Sequence, residues 1–480
     1  MSGKSRRDIL RNGFVLGASI TAGTFAAQCT GTPSVKDNRV MKAGFARVKI
    51  TPPVGTAMTG FGNRDMDPDG CRGIHDDLYA RALYVKQGNE EVLIMGFDLL
   101  FFSRDEADRY KGAISRATGL PPNNILLNTS HTHTGPKIGT WFFTPRDFLY
   151  LNQLELYIVE AAVKARDSMR EVTLWAGTTT TDIPMSRRLP DKATGEMLFA
   201  PNPEGRTYNR LPICLIKDTA GKPVCLLFSV SCHPSTIKGD FRAYNFSADY
   251  PGAAMAQLDE YLGAPGSLFL QGVAGDTKAS VIGKGYTDWQ SGTWDNVAEA
   301  GSMASGPVRK AIEKGLTRIE PDLRNHVITM EWSLNPPLSR SEYEQIFRMK
   351  KTHEGREGPK IDLWAQEMMH IIDRNFTLTD TVPITSHAIQ LGKGLRMVSL
   401  EGEAVAEFGH IIENFYSGGT TFPLGYTDGC QMYLPTTVML DEVGYEVDSY
   451  WEYHQPTPLA GGHEKILEDT LKQFQLKGIG

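Results

Sequence analysis

The sequence predicts an α/β fold: a layered domain on a mixed β-sheet core, with ligand-binding residues at strand ends. Three observations carry this expectation. Short apolar runs of strand length alternate with helix-periodic segments from near Ala43 to the C-terminus. A hairpin sits among strands joined through helices, the mark of a sheet with both antiparallel and parallel neighbours. Histidine, glutamate and tyrosine recur just after the strand-like runs, where α/β proteins place their ligands.

Val92 to Phe97 is an apolar strand. Ser103 and Glu106 have capping-box spacing and open a helix that stops near Gly119 and Pro121. Ile125 to Asn128 is a strand that runs into Ser130–Pro136, which reads SHTHTGP. Leu151, Leu154, Ile158, Ala161, Ala165 and Met169 recur at helical spacing and form the core face of an amphipathic helix. Leu211–Lys217 and Pro223–Ser231 pair as a hairpin about Asp218–Lys222, and the second strand ends in Cys232-His233-Pro234. A helix near Ala248–Tyr261, a strand at Ser267–Gln271, a glycine-bearing turn at Gly272–Asp276 and a helix over Asn296–Lys314 come next. Strands near Val327–Leu334, Ile384–Leu391 and Arg396–Leu400 are interleaved with polar helices between Ser339 and Asn375.

No linker splits this pattern, so residues 41–480 are expected to form one domain after an export signal and linker at 1–40. The N-terminal segment carries Ser5-Arg6-Arg7-Asp8-Ile9-Leu10, a twin-arginine pattern, and then an apolar run from Phe14 to Ala27 too short and glycine-rich for a membrane span. Export to the periplasm, cell surface or medium is the expectation. Cys29, after Ala26-Ala27-Gln28, is a candidate for lipidation, which leaves a peripheral membrane or lipoprotein association open. The other cysteines show no CxxC spacing, so neither a disulfide framework nor a cysteine-rich zinc site is expected. The net charge of −6 gives no reason to expect a nucleic-acid partner.

His131 and His133 stand two residues apart at a strand end, where period two points both imidazoles to one face. His233, Glu403 and Tyr433 occupy comparable positions. Zinc favours imidazole nitrogen and carboxylate oxygen, and a catalytic zinc keeps a position open for water or substrate. A histidine before proline, such as His233, can equally be a hydrogen-bonded structural residue.

These residues sit within a longer series of motifs. Ala43-Gly44, Ile50-Thr51-Pro52-Pro53, Gly60-Phe61-Gly62, Gly73-Ile74-His75-Asp76 and Leu78-Tyr79-Ala80-Arg81-Ala82 come first. Pro121-Pro122-Asn123-Asn124-Ile125, SHTHTGP, Cys232-His233-Pro234, Gly275-Asp276, Gly402-Glu403, Tyr433 and Tyr445-Glu446 follow in order. In this series the chain resembles the catalytic domain of the neutral (alkaline, non-lysosomal) ceramidases. The resemblance implies one Zn2+ per chain, held by His131, His233, Glu403 and Tyr433. It further implies that His133 and Arg187 contact substrate, with Arg188 leaving that alignment loose, and that Tyr445, twelve positions after Tyr433, polarises the scissile carbonyl. The implied reaction is zinc-assisted hydrolysis of an N-acyl bond in a ceramide-like lipid or small-molecule amide, with a tyrosine donor at the developing oxyanion and a histidine to protonate the leaving amine.

Two departures stand out. Many members of that family read Gly-Asp-X-Ser-Pro, whereas this chain reads Gly275-Asp276-Thr277-Lys278-Ala279-Ser280, with Lys278 in the serine's place; Thr277 or Ser280 substitutes only if the turn is shifted. An ammonium adds a charge and needs its own partner. Members of that family carry a C-terminal immunoglobulin-like domain, and none is expected after Tyr445 here. Two alternatives therefore stay open: a zinc hydrolase of another substrate, such as an N-acetylated or acidic saccharide whose anion meets Lys278, and a non-catalytic zinc-binding surface protein. Trp141-Phe142-Phe143 and Phe148–Leu151 either line an acyl-chain pocket or pack as core and loop.

Overall fold

The computed structural model describes residues 40–480 except 63, 140–146, 265, 353–357 and 359. The export segment and Trp141-Phe142-Phe143 lie outside the described residues. The larger of two main sheets contains β1 (Met41–Lys49), β2 (Tyr79–Gln87), β3 (Glu90–Phe97), β4 (Ile125–Thr129), β5 (Arg170–Thr180), β6 (Arg210–Asp218), β7 (Pro223–Val230) and β8 (Ser267–Gln271). Their spatial order is β8-β7-β6-β5-β1-β2-β3-β4, with Thr317–Ile319 paired to β5. The smaller sheet runs in sequence order through β9 (Pro321–Ser333), β10 (Thr381–Gly392), β11 (Leu395–Leu400) and β12 (Thr420–Leu424).

Three strand pairs in these sheets are parallel: β3 with β4, β7 with β8 and β11 with β12. Each is connected through a helix, as a parallel crossover requires: α1 (Arg104–Thr118), α3 (Asp249–Leu262) and α7 (Ala406–Phe415) respectively. The Glu106 carboxylate accepts from the Ser103 amide at 3.1 Å, as the capping box predicts.

Strand alternation sorts the apolar residues into layers. Val92 and Ile94 of β3 join Ile389 and Leu391 of β10 and Met397 of β11 in a core between the two sheets. Leu93, Met95 and Phe97 point the other way, onto α1 and α2 (Phe148–Asp167). Farther along that outer face, Leu226, Phe228 and Val230 of β7 pack with α3 and α4 (Trp294–Lys314). On its own outer face the smaller sheet is covered by α5 (Arg340–Met349), α6 (Ile361–Asp373), α7 and α8 (His463–Leu476). The result is four layers, helix–sheet–sheet–helix, around mixed sheets. The predicted helix residue Met169 falls just beyond α2.

One side chain ties the site's scaffold together. β4 and β8 are the two edges of the large sheet, and Asn128 clasps them: its Oδ1 accepts from Gln271 N at 2.7 Å and its Nδ2 donates to Gln271 O at 3.3 Å. The same Nδ2 donates to Gly425 O at 2.9 Å, just beyond β12. The carboxyl ends of β4, β8 and β12 are thereby drawn together. Five free cysteines are described, all buried, with no disulfide among them. Among the described residues, no helix is long and apolar enough to cross a membrane.

Candidate metal centre

β4 ends at Thr129, and the chain leaves it through Ser130 N to Phe97 O (2.8 Å) and His131 N to Leu99 O (2.9 Å). His131 then adopts φ 66°, a left-handed conformation uncommon for a non-glycine residue. The two histidines are therefore not consecutive same-face positions of a strand, as period two predicts. A turn with one left-handed residue brings them together instead. His133 is fixed at three points: its N donates to Pro234 O at 3.1 Å, its O accepts from Arg64 Nη1 at 2.8 Å, and its Nδ1 lies 2.6 Å from Gly60 O. Gly60 has φ 120°, and a Cβ there would come within 2.8 Å of His133 Cα, so glycine is required. Asp65 pins this Gly60 loop by accepting from Gly60 N at 2.8 Å.

The hydrogen bonds decide the tautomers. Nδ1 of His131 faces Leu100 O (3.0 Å), that of His133 faces Gly60 O, and that of His233 faces Ala274 O (2.7 Å). A carbonyl only accepts, so each Nδ1 carries the proton and each Nε2 of the neutral ring is left with a lone pair. Those lone pairs converge. Nε2 of His131 and His133 are 3.2 Å apart, and Glu403 Oε2 lies 3.3 Å from His131 Nε2 and 3.2 Å from His233 Nε2. The ligand atoms of the three histidines all lie within 4.8 Å of one another. Tyr433 OH is 3.3 Å from His233 Nε2.

The charge states agree with this donor set. Burial, with the Arg187 guanidinium, holds the His233 imidazole down at about 3. Burial and the neighbouring His131, His233 and Lys278 push His133 well below its ordinary value. Burial opposes ionisation of Glu403, yet His131 and His233 keep its carboxyl well below the usual carboxylate range. With Nδ1 holding a proton, the Nε2 of a neutral ring is free to face a cation beside the Glu403 carboxylate, and imidazole and carboxylate are zinc's preferred donors. The residues fit a divalent metal.

Backbone pairing places the acidic half of the site. Glu403–Ala404 and Tyr433–Leu434 form a short parallel ladder with Glu403 opposite Tyr433. Gly275, in the turn after β8, packs so tightly on this ladder that a Cβ would lie 2.4 Å from Glu403 O. Two tyrosines that sequence reasoning missed complete the surroundings. Tyr426 donates to Glu403 Oε2 at 3.3 Å with its ring 4.3 Å from that of His131, and Tyr453 donates to Glu403 Oε1. Neither stands at a telling spacing from the motifs.

Of the two arginines, Arg187 is the one at the site. Its Nη1 is 3.4 Å from His233 Nε2, its Nε donates to Glu446 Oε1 at 2.7 Å, and its Nη2 is buried without a hydrogen-bond partner. Arg188 turns instead to Glu446 Oε2 (2.7 Å) and Glu442 (3.0 Å). The Tyr445 ring lies 5.5 Å from that of Tyr433, but its hydroxyl donates to Glu452 Oε2 at 3.0 Å. Lys278 is buried on the short strand Thr277–Ala279, bridged through its backbone to His233. Its Nζ donates to Ser235 Oγ at 2.6 Å. Thr277 Oγ1 and Ser280 Oγ donate to the carbonyls of Ser231 (3.0 Å) and Asp182 (2.8 Å). Phe148 and Leu149 are exposed, whereas Tyr150 and Leu151 are core.

The fold that carries this three-histidine cluster, which could hold a metal ion, is one shared with solved ceramidases. It is similar to the neutral ceramidase from Pseudomonas aeruginosa, with TM-score 0.69 and 15% identity over 92% of this chain and 75% of that one. A ceramidase complexed with C2 superposes with TM-score 0.68 and 13% identity, covering 91% of this chain and 76% of the other. The resemblance read from the motifs thus holds at the level of the fold. No protein-family profile matches the chain, and no curated protein matches it.

Proposed function

We propose that this chain is an exported, zinc-dependent hydrolase of linear amides, with one Zn2+ per chain held by His131, His233, Glu403 and Tyr433. The observation that carries the reading is the convergence of three Nε2 lone pairs, each enforced by an Nδ1–carbonyl hydrogen bond, beside the Glu403 carboxylate. His131 and His233 are both 1% exposed while His133 is half-buried, which supports His133 as the member of the trio that meets substrate.

Zinc bound there supplies a Lewis acid that brings the pKa of a water toward neutrality and polarises an acyl oxygen. The protein's own groups do the rest. His133 keeps its Nδ1 proton on Gly60 O, so its Nε2 is the atom that takes a proton from the attacking water and passes it to the departing nitrogen. Arg187 Nη2, without a partner, is the donor available to an acyl oxygen that gains charge. Tyr445 joins it when its hydroxyl exchanges Glu452 for substrate. Water adds across the C–N bond, giving a carboxylic acid and an amine.

Twin-arginine export and peripheral membrane or lipoprotein association belong to the same proposal, supported by Arg6-Arg7 and Cys29. So does the assignment of residues 41–480 to one catalytic domain that acts on a lipid or small-molecule amide. The test is a panel of amides, ceramide included, assayed with and without chelator. Turnover that chelator abolishes and Zn2+ restores supports the reading. Zinc-loaded protein that cleaves no amide contradicts it and favours a zinc-binding surface protein.

A further inference from the structure

Lys278 sits where a charge is costly. It is 4% exposed, and its Nζ bonds only neutral oxygens, Ser235 Oγ at 2.6 Å and Ser235 O at 3.4 Å, with the Trp289 ring 5.8 Å away. Among the described residues, no carboxylate stands within ion-pair distance of it. The other buried cations nearby are matched: Arg187 pairs with Glu446, and Arg188 with Glu446 and Glu442. A buried ammonium without a counter-ion is destabilising, and chains retain such groups where a ligand supplies the missing charge.

The backbone places Lys278 beside the metal centre. In the antiparallel ribbon of Pro184–Pro190 with Thr277–Ala279, Lys278 lies opposite Met185. Residues opposite one another share a face, as do residues two apart along a strand, so Lys278 and Arg187 are diagonal neighbours on one face. His233 lies against both, through its backbone bridge to Lys278 and through Nε2 to Arg187 Nη1.

We propose that Lys278 seats a carboxylate of the substrate, so that the preferred amide is an N-acyl compound carrying one negative charge rather than a neutral lipid amide. The inference rests on the hydrolase reading for the bond that is cleaved, and on Lys278 alone for the anion. One buried ammonium with no carboxylate at ion-pair distance calls for one monoanion, which a carboxylate supplies.

Titration of zinc-loaded protein with N-hexanoylglycine and with its uncharged carboxamide, N-hexanoylglycinamide, tests this, with affinity read as Kd by calorimetry or, for a compound that is cleaved, as KM. Tenfold or tighter binding of the carboxylate by the wild type is expected, with the ratio falling below threefold in Lys278→Met. Equal binding of the two compounds by the wild type overturns the inference without any variant, and so does a preference that survives in Lys278→Met. Cleavage is read separately. A carboxylate preference with no hydrolysis of any amide supports the anion site and contradicts the hydrolase, whereas zinc-dependent hydrolysis with no preference does the reverse.

Discussion

Replacing Lys278 with methionine removes a buried charge while keeping most of the side chain's volume, and its consequence can be worked out in sign and size. Burial, with Lys238 and Arg187 nearby, pushes the Lys278 ammonium down from 10.5 to about 7. That interval corresponds to on the order of 4 kcal/mol favouring the unfolded chain at neutral pH. The lost hydrogen bond to Ser235 offsets about 1 kcal/mol of the gain. Lys278→Met is therefore expected to be more stable than the wild type by about 2–4 kcal/mol at pH 7. The sign of the pH dependence follows from proton counting. Between pH 7 and 10.5 the unfolded chain binds more protons at this position than the folded one, so wild-type stability rises with pH while the variant gains nothing there. The gap should shrink to below about 1 kcal/mol by pH 10.5. Urea unfolding of both proteins at pH 7, 8.5 and 10 measures it. A gap that stays constant, or a variant less stable at pH 7, would refute the claim that this lysine is an uncompensated buried cation. Retaining such a residue at a stability cost is what a binding site does.

Three further expectations concern the scaffold of the centre. His131→Ala and His233→Ala should each reduce zinc content below about a tenth of the wild-type value by elemental analysis and lower amide turnover by 10³-fold or more, since each removes one donor of four. Gly275→Ala, whose Cβ would meet Glu403 O at 2.4 Å, should displace the Glu403 ladder. It is expected to cost about 1–3 kcal/mol of stability and at least tenfold in zinc affinity by competition with a chelator. Asp428→Asn leaves Lys111, its partner at 2.8 Å, buried without a counter-charge and should cost about 3 kcal/mol in urea unfolding. Burial opposes the Asp428 charge, but Lys111 and His387 hold its carboxyl down at about 2. Its contribution is therefore complete above about pH 4 and lost as pH falls toward 2, and in the asparagine variant this acid-side loss should vanish.

The periodic parts of the fold were legible because burial imposes period 2 or 3.6 on residues such as Leu93, Met95 and Phe97 of β3, or Leu151, Leu154 and Ile158 of α2. The division into two stacked sheets was not. Alternate residues of β3 are apolar on both faces, and the run alone does not say whether helices or another sheet covers each. The clasp by Asn128 was equally hidden, because an asparagine at a strand end reads as a turn residue while its partners lie 143 and 297 positions away. At the site, His131, His133, His233, Glu403, Tyr433 and Arg187 lie together. Lys278 stands beside them, and the Tyr445 hydroxyl turns to Glu452. The left-handed turn at His131 and the tyrosines 426 and 453 around Glu403 arise from long-range packing, for which local spacing carries no signal.

The hydrolase reading depends on one ion held by His131, His233, Glu403 and Tyr433. X-ray diffraction from crystals of the full chain, recorded above and below the zinc absorption edge, tests that most directly. The expected result is a single anomalous peak per chain within about 2.3 Å of His131 Nε2, His233 Nε2 and a Glu403 oxygen, present only above the edge. A peak elsewhere, or no peak at the centre in crystals grown with zinc in excess, would contradict the account.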